Sequence, residues 1–295
     1  MLTQKQFDVL VYLTEQTDPQ SQRAISESLG MSIGFINKVM KEFAADGLVK
    51  DGMITQQGYA ALEPYRVQRA IFMAAGFGSR MVPLTLNTPK PLIRVKGVRM
   101  IDTLLDAVIA AGISEIYVIR GYLSEQFDQL LYKYPMIKFI ENPLFNEANN
   151  IASIVCAGPL IRNAYILESD LVLSNPKLIT RYQYCSNYLG IPVEHTDDWC
   201  VHLEKGYIKD VGIGGVNCHQ IVGISYWTDY DGSRLVEHIK NVYQMPGGKE
   251  RLWGQVPLKY YHDEYKVGIR ECKFEDVVEI DTFNELKQID PVYKL

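Results

Sequence analysis

No stretch of this 295-residue chain approaches the roughly 18 to 20 consecutive apolar residues that a membrane span requires, although 47% of its residues are apolar. Nor is there an excess of basic residues. Thirty Lys and Arg against 35 Asp and Glu leave a formal charge of -5, too mild and of the wrong sign for a surface that coats nucleic acid. That balance still permits an anionic ligand held by a local basic loop. Cysteine is sparse: Cys156, Cys185, Cys200, Cys218 and Cys272 are odd in number and contain no C-x-x-C pair. A disulfide framework and a zinc knuckle are both excluded on that pattern. The start, MLTQKQFDVL, has no basic patch, long apolar segment or small-residue cleavage site of a secretory signal, so a reducing cytoplasmic location is expected. Internal repeats and low-complexity tracts are missing, and none of the five histidines sits in a motif that demands a chemical role.

What is present divides in two, with domains expected at 1–66 and 67–295. In the first, Phe7, Leu10, Val11 and Thr14 fall at helical spacing, as do Ala24, Ile25 and Leu29, and then Ile33, Ile36, Val39, Met40 and Phe43. Gly30-Met31-Ser32 separates the second predicted helix from the third, with Ser32 placed as an N-cap. LVKDGMIT then sets Asp51-Gly52 between two short apolar strands, a hairpin signal, and Thr55 is placed to cap a last helix, QQGYAALEPY. Over residues 3 to about 62 this order resembles the winged helix-turn-helix domains of bacterial transcription regulators. DNA is the partner that resemblance implies, with Ser32, Asn37, Lys38 and Lys41 as the face toward it. Six basic residues against eight acidic ones in 1–66 weigh against strong phosphate contact, and the rival role is dimerisation or docking, with a homodimer as its outcome.

From Val67 the pattern changes. VQRAIFMA is a short apolar run suited to a buried parallel strand, and it ends directly in Ala75-Gly76-Phe77-Gly78-Ser79-Arg80. Glycines at 76 and 78 allow backbone to approach phosphate oxygens and to turn several N–H groups inward. Arg80 adds a planar cation, and Lys90, within Thr88-Pro89-Lys90-Pro91, adds a point charge after a rigid turn. The rival reading is a Rossmann dinucleotide site, but the third glycine is missing and the segment after Arg80 carries prolines where a helix would start. G-x-G-S-R-x-x-P-L-T followed by T-P-K-P resembles the signature of sugar-phosphate and choline-phosphate nucleotidyltransferases.

Alternating units follow: a helix near 101–111, strand EIYVIRG, helix LSEQFDQLLYK, strand MIKFIEN, helix NIASIVCAG and strand NAYILESD. The predicted fold is α/β, a doubly wound and mostly parallel sheet. In such a sheet ligands collect at the carboxyl ends of strands, where the glycine loop, Arg120-Gly121, Asn142 and Asp170 all fall. Near the end of the chain VVEIDTFNELKQI gives a strand closing on Glu279-Ile280-Asp281, then a helix. Asp170 and Asp281, each at a strand end, are a carboxylate pair suited to Mg²⁺, with a helix cap as the plainer role for Asp281.

GYLSEQFDQL, ENPLFNEANNIASI, ILESD, the tryptophan of TDDWCV, GISYW and VEIDTFNELKQI resemble, in order across nearly all of 70 to 290, the bacterial choline-phosphate cytidylyltransferases. The resemblance implies that Ala75, Gly76, Gly78, Ser79, Arg80 and Lys90 bind CTP, with Asn149 or Asn150 near the nucleoside. It further implies Mg²⁺ at Asp170 and Asp281, catalytic cations Arg80 and Lys90, and an acceptor pocket made with Trp199, Trp253, Glu279 and Asp170. The partners expected are CTP and a small phosphorylated amino alcohol, phosphocholine first, with no membrane. A quaternary ammonium cannot donate hydrogen bonds, so aromatic faces beside carboxylates are the physical basis for that acceptor; Trp199 next to Asp197 and Asp198 fits it, whereas Trp227 reads as core. Where choline-specific members carry an aromatic pair followed by Asp-Asn, this chain has Leu252-Trp253-Gly254-Gln255. Phosphoethanolamine, 2-aminoethylphosphonate or a sugar 1-phosphate therefore stay open as acceptors, as does a DNA-binding regulator with a nucleotide-sensing domain.

Overall fold

The computed structural model describes residues 1–294. The chain forms two units: Met1–Arg66 together with Tyr182–Tyr184, and Val67–Arg181 together with the chain from Cys185 onward.

In the first unit three helices, α1 (Gln4–Thr14), α2 (Gln22–Leu29) and α3 (Ile33–Ala45), precede a hairpin of β1 (Val49–Lys50) and β2 (Met53–Ile54) and a last helix, α4 (Gln56–Leu62). Side-chain caps start each helix: Thr3, Ser21, Ser32 and Thr55 all accept a backbone N–H of the first turn. Asp51 and Gly52 both take positive φ, 50° and 79°, the backbone that a two-residue hairpin turn requires. The buried row of α1 is Phe7, Val9, Leu10 and Leu13. Of the expected Phe7-Leu10-Val11-Thr14 row, Phe7 and Leu10 are buried and Val11 is half-buried against the same core, while Thr14 turns its hydroxyl back onto the Val11 carbonyl at 2.7 Å.

The second unit is built on strands β3 (Arg69–Ala74), β6 (Glu115–Arg120), β7 (Ile137–Glu141), β8 (Ala164–Glu168), β10 (Asn187–Glu204), β11 (Tyr207–Trp227) and β12 (Gly268–Glu271). Two small antiparallel pairs stand apart from that sheet: β4 (Arg94–Val95) with β5 (Val98–Arg99), and β9 (Leu171–Leu173) with β13 (Val277–Glu279). The seven strands lie in the order β10-β12-β11-β8-β3-β6-β7. β3 is parallel to both β6 and β8, β6 to β7 and β10 to β12, so β11 alone runs against the rest. The predicted doubly wound, mostly parallel sheet is the observed one.

Both faces are covered, which is why β3 reads as an unbroken apolar run. Ala70, Phe72 and Ala74 pack with Leu104, Leu105 and Val108 of α5 (Met100–Ala110) on one side. Ile71 packs with Ile151 and Ile154 of α6 (Ile151–Ala157) and with Leu235 and Ile239 of α7 (Asp229–Gln244) on the other. Trp227 is fully buried there, as its apolar run suggests. The segment LSEQFDQLLYK differs from expectation: Ser124–Tyr132 is a 3-10 helix, entered through Leu123 at positive φ. Because chain connections leave β3 toward β6 and return to β8 on its opposite side, the crevice of the sheet opens between the loops that follow β3 and β8.

Candidate active site

The strand β3 ends at Ala74 and the glycine loop begins beside the crevice. Gly78 has φ +61°, and a Cβ there would lie 2.9 Å from Lys90 Cβ and 3.0 Å from Thr85 Cγ2. Glycine is required at that position for both reasons. Gly76 is different: its φ is ordinary and a Cβ there would meet nothing within 4 Å, so its lack of a side chain leaves open space instead of relieving a clash. Thr85 Oγ1 donates to the Gly78 carbonyl at 2.9 Å and holds the loop against the 3-10 turn Leu84–Leu86, which precedes the one that carries Lys90.

Lys90 is buried, and its Nζ donates to Asp170 Oδ2 at 2.8 Å and to Asp281 Oδ1 at 3.0 Å. Burial pushes its pKa down, yet the two carboxylates outweigh burial and hold it above the ordinary lysine value. Arg80, mostly exposed, reaches Asp281 Oδ1 at 2.8 Å. Asp170 Oδ1 is buried with no hydrogen-bond partner.

The two aspartates meet through pairing that lies outside the main sheet. β8 stops at Glu168; Ser169 and Asp170 lie beyond it, not within the strand, and β9 follows. β13 pairs with β9 in the register Glu279 opposite Leu171, and the Ile280 N–H donates to the Asp170 carbonyl at 3.2 Å. Asp281 does not cap the last helix, α8 (Phe283–Ile289): Thr282 does, in a capping box with Glu285. The Asp281 carboxylate is thereby left for Lys90 and Arg80.

Three adjoining cavities surround this centre. One of 330 Å³ is lined by Gly76, Gly78, Ser79, Arg80, Lys90 and Asn149. A second, of 590 Å³, is lined by Ala75, Phe77, Asn142, Phe145, Asn149, Asn150 and Ser153. A third, of 390 Å³, is lined by Glu168, Tyr188, Asp198, Trp199, Trp253, Gln255 and Glu279. Among the described residues Asp170 is the one that lines all three.

The sites read from the sequence therefore come together, with qualifications. Asn150 lines the second and third cavities, but its Oδ1 accepts from the Trp253 N–H at 2.9 Å. Asn149 gives its side chain to the Glu250 carbonyl and the Asn150 N–H. Both fix the wall between cavities. Trp199 is half-buried on β10 and faces the third cavity together with Asp198, whereas Asp197 lines none of the three. Trp253 reaches the same cavity but is only 4% exposed, stacked on Tyr188 and edge-on to Trp227. Arg120, expected at the crevice, lines none of the three cavities; it is spent on Glu141 and Asp128 and lies over the Phe139 ring.

Four residues escaped the sequence reading. Phe77 and Phe145, 5.3 Å apart between ring centres, put aromatic surface into the second cavity; Phe77 stands inside the glycine loop, a signal that was available. Tyr188 sits in an apolar strand with nothing local to mark it. Glu168, two residues before Asp170, brings a carboxylate oxygen within 4.8 Å of those of Asp170 and Glu279. Burial first, and then the neighbouring charge of Asp170, push the Glu168 and Glu279 carboxyls above the usual carboxylate range. Like charges crowded in this way favour a cation among them.

Residues 69–181 match the family model for nucleotidyl transferases. The chain is similar to the 2-aminoethylphosphonate cytidylyltransferase of Lancefieldella rimae, at 37% identity over 228 residues, which cover 76% of this chain and 92% of that protein. It is similar also to the choline-phosphate cytidylyltransferase of Streptococcus pneumoniae, at 27% identity over 77% of this chain and 98% of that protein. A solved structure of the CTP:phosphocholine cytidylyltransferase from Streptococcus pneumoniae superposes with a TM-score of 0.70, covering 77% of this chain and 99% of that one. With a sheet, a glycine loop and a carboxylate centre of this form, and with a relative so similar over most of its length, the chain belongs to the nucleotidyltransferase family.

Proposed function

We propose that the enzyme transfers CMP from CTP to a small phosphonate or phosphomonoester that carries an amino head, and that 2-aminoethylphosphonate suits its acceptor cavity better than phosphocholine. The observation that carries the transfer reading is the position of Asp170, shared by three cavities sized and lined for a nucleoside, a polyphosphate and a small acceptor. The acceptor preference rests on the third cavity. A quaternary ammonium needs free aromatic faces, but Trp253 is packed between Tyr188 and Trp227, leaving Trp199 as the half-buried tryptophan there. Glu168, Asp198 and Glu279 instead supply hydrogen-bond acceptors for a primary ammonium. The 37% identity to a 2-aminoethylphosphonate enzyme supports the same choice.

In the reaction an acceptor oxygen forms a bond to the α-phosphorus as the bond from that phosphorus to the bridging oxygen of pyrophosphate breaks. Lys90 and Arg80 exchange Asp170 and Asp281 for phosphate oxygens and neutralise the charge that gathers on the α-phosphate and the leaving group. The acceptor is ionised near neutral pH, so neither a protein nucleophile nor a dedicated general base is required. The oxygen-only donors and the orphaned Asp170 Oδ1 fit Mg²⁺, with Asp170 and Asp281 as the residues to hold it. When bound, that ion supplies Lewis-acid stabilisation of the triphosphate. Pyrophosphate release with CTP, Mg²⁺ and a panel of 2-aminoethylphosphonate, phosphoethanolamine, phosphocholine and sugar 1-phosphates tests the reading; turnover confined to the sugar phosphates would overturn it.

For the first unit we infer a winged helix-turn-helix, supported by the order of three capped helices, a two-residue hairpin turn and a fourth helix. Lys41 and Lys50 are exposed on α3 and the hairpin, while Lys38 lies 3.8 Å from Glu42. Duplex DNA is the partner class of that fold. Salt-dependent anisotropy with labelled duplex tests it, and no binding at low salt would leave assembly as the role.

A further inference from the structure

We infer that Tyr188, acting with Glu168, seats the ammonium group of the acceptor and selects primary amines over trimethylammonium heads, an inference that rests on the amino-acceptor reading above. Tyr188 lies near the start of β10, is 5% exposed, and lines the 390 Å³ cavity. Its Oη is enclosed and makes no hydrogen bond. Ser225 Oγ lies beside it, accepting from Trp227 Nε1 at 3.1 Å and donating toward the Ile166 carbonyl at 3.5 Å, so its remaining lone pair is the nearest acceptor for the phenol O–H while the lone pairs of Tyr188 Oη stay unused. A buried phenol oxygen that accepts no hydrogen bond from its own protein has lone pairs to offer a ligand's N–H.

The surroundings keep this hydroxyl in place at the wall of the cavity. Trp253 stacks on the Tyr188 ring at 6.1 Å between centres and 20° between planes, and Trp227 meets it edge-on at 6.0 Å, so the ring cannot swing away. A Cβ at Gly254 would stand 3.3 Å from Tyr188 Oη, so a side chain at that position would crowd the hydroxyl. Gly223 performs the matching service for the carboxylate. A Cβ there would lie 2.8 to 2.9 Å from Glu168 Cβ, Cγ and Oε2, and any side chain would displace Glu168. Among the described residues Glu168 forms no ion pair.

A primary ammonium carries three N–H donors; Tyr188 Oη accepts one and the Glu168 carboxylate another, while the phenol O–H stays turned toward Ser225 Oγ. A trimethylammonium head has no donor to give. It would press methyl groups on two oxygens and leave the buried hydroxyl unpaired, the arrangement that hydrogen-bonding sites reject most strongly.

The full chain carrying Tyr188→Phe tests this by steady-state pyrophosphate release with 2-aminoethylphosphonate, phosphoethanolamine and phosphocholine. The expected result is a KM for both primary amines raised about tenfold or more, an unchanged KM for CTP, and an equal fall in the ratio of kcat/KM between primary and trimethylated acceptors. Gly254→Ala, which crowds Oη from the cavity side and leaves the aromatic stack intact, moves the same ratio in the same direction and serves if the Phe variant does not fold. An unaltered ratio in wild-type-like folded variants, or an equal loss on every acceptor, overturns the inference while the amino-acceptor reading stands. A wild-type enzyme that uses phosphocholine and neither amine overturns both.

Discussion

Lys90 Nζ donates to Asp170 Oδ2 across 2.8 Å, and the other oxygen of that carboxylate is buried without a donor. The pair neutralises itself in the absence of ligand, and each member has an obvious second partner in a triphosphate and its cation. Lys90→Ala and Asp170→Ala should each reduce turnover by on the order of 10²- to 10³-fold. Circular dichroism should be unchanged in both. Near-normal pyrophosphate release from either variant would remove that residue from the chemistry.

The crowded carboxylates give a second expectation. Mg²⁺ should raise the melting temperature, by an amount equivalent to about 3 kcal/mol at a hundredfold excess over its Kd. Chelation by EDTA should reverse the rise, and Asp170→Asn should abolish most of it. A melting temperature indifferent to Mg²⁺ in the wild type would argue against a cation at this centre.

The two glycines of the loop should respond differently. Gly78→Ala forces a positive φ on alanine and a 2.9 Å approach to Lys90, so both stability and CTP binding should fall, stability by about 1 to 3 kcal/mol. Gly76→Ala meets no protein atom and should leave the melting temperature alone while raising the KM for CTP. Equal destabilisation by the two changes would contradict the contrast.

His238, on α7, stacks on Tyr261 at 3.7 Å and bonds Tyr265 Oη through Nδ1 at 2.8 Å. Burial depresses its pKa below the ordinary histidine value, against the opposing pull of Glu264. A depressed histidine binds fewer protons folded than unfolded, so its contribution is present above that value and is lost as pH falls through the folded pKa. The melting temperature should therefore drop more between pH 7 and pH 5 in the wild type than in His238→Gln. Parallel pH profiles would refute the assignment.

Much of the chemistry was legible because it is written locally. The glycine loop, Arg80, Lys90, and the acids at 170 and 281 are each marked by a neighbouring turn or strand end, and the unbroken apolar run of β3 marks a sheet covered on both faces. Residues whose role depends on distant partners were not legible. Asp170 and Asp281 were each expected at a strand end, but the pairing of β9 with β13, apart from the main sheet, that brings the two together has no local signal. That Asp281 is free of capping depends on Thr282 taking the task.

The sequence by itself determined the family of the catalytic unit, since a phosphate-binding turn needs particular residues within a few positions of one another. Tertiary structure decided how the acceptor cavity is walled. Trp253 turned from an expected cage face into the support of Tyr188, and Glu168 entered the site because Gly223, on a strand 55 residues later, leaves it room. Those roles arise from packing between segments far apart in the chain, and no local pattern of residues records which faces such packing will cover and which it will leave open.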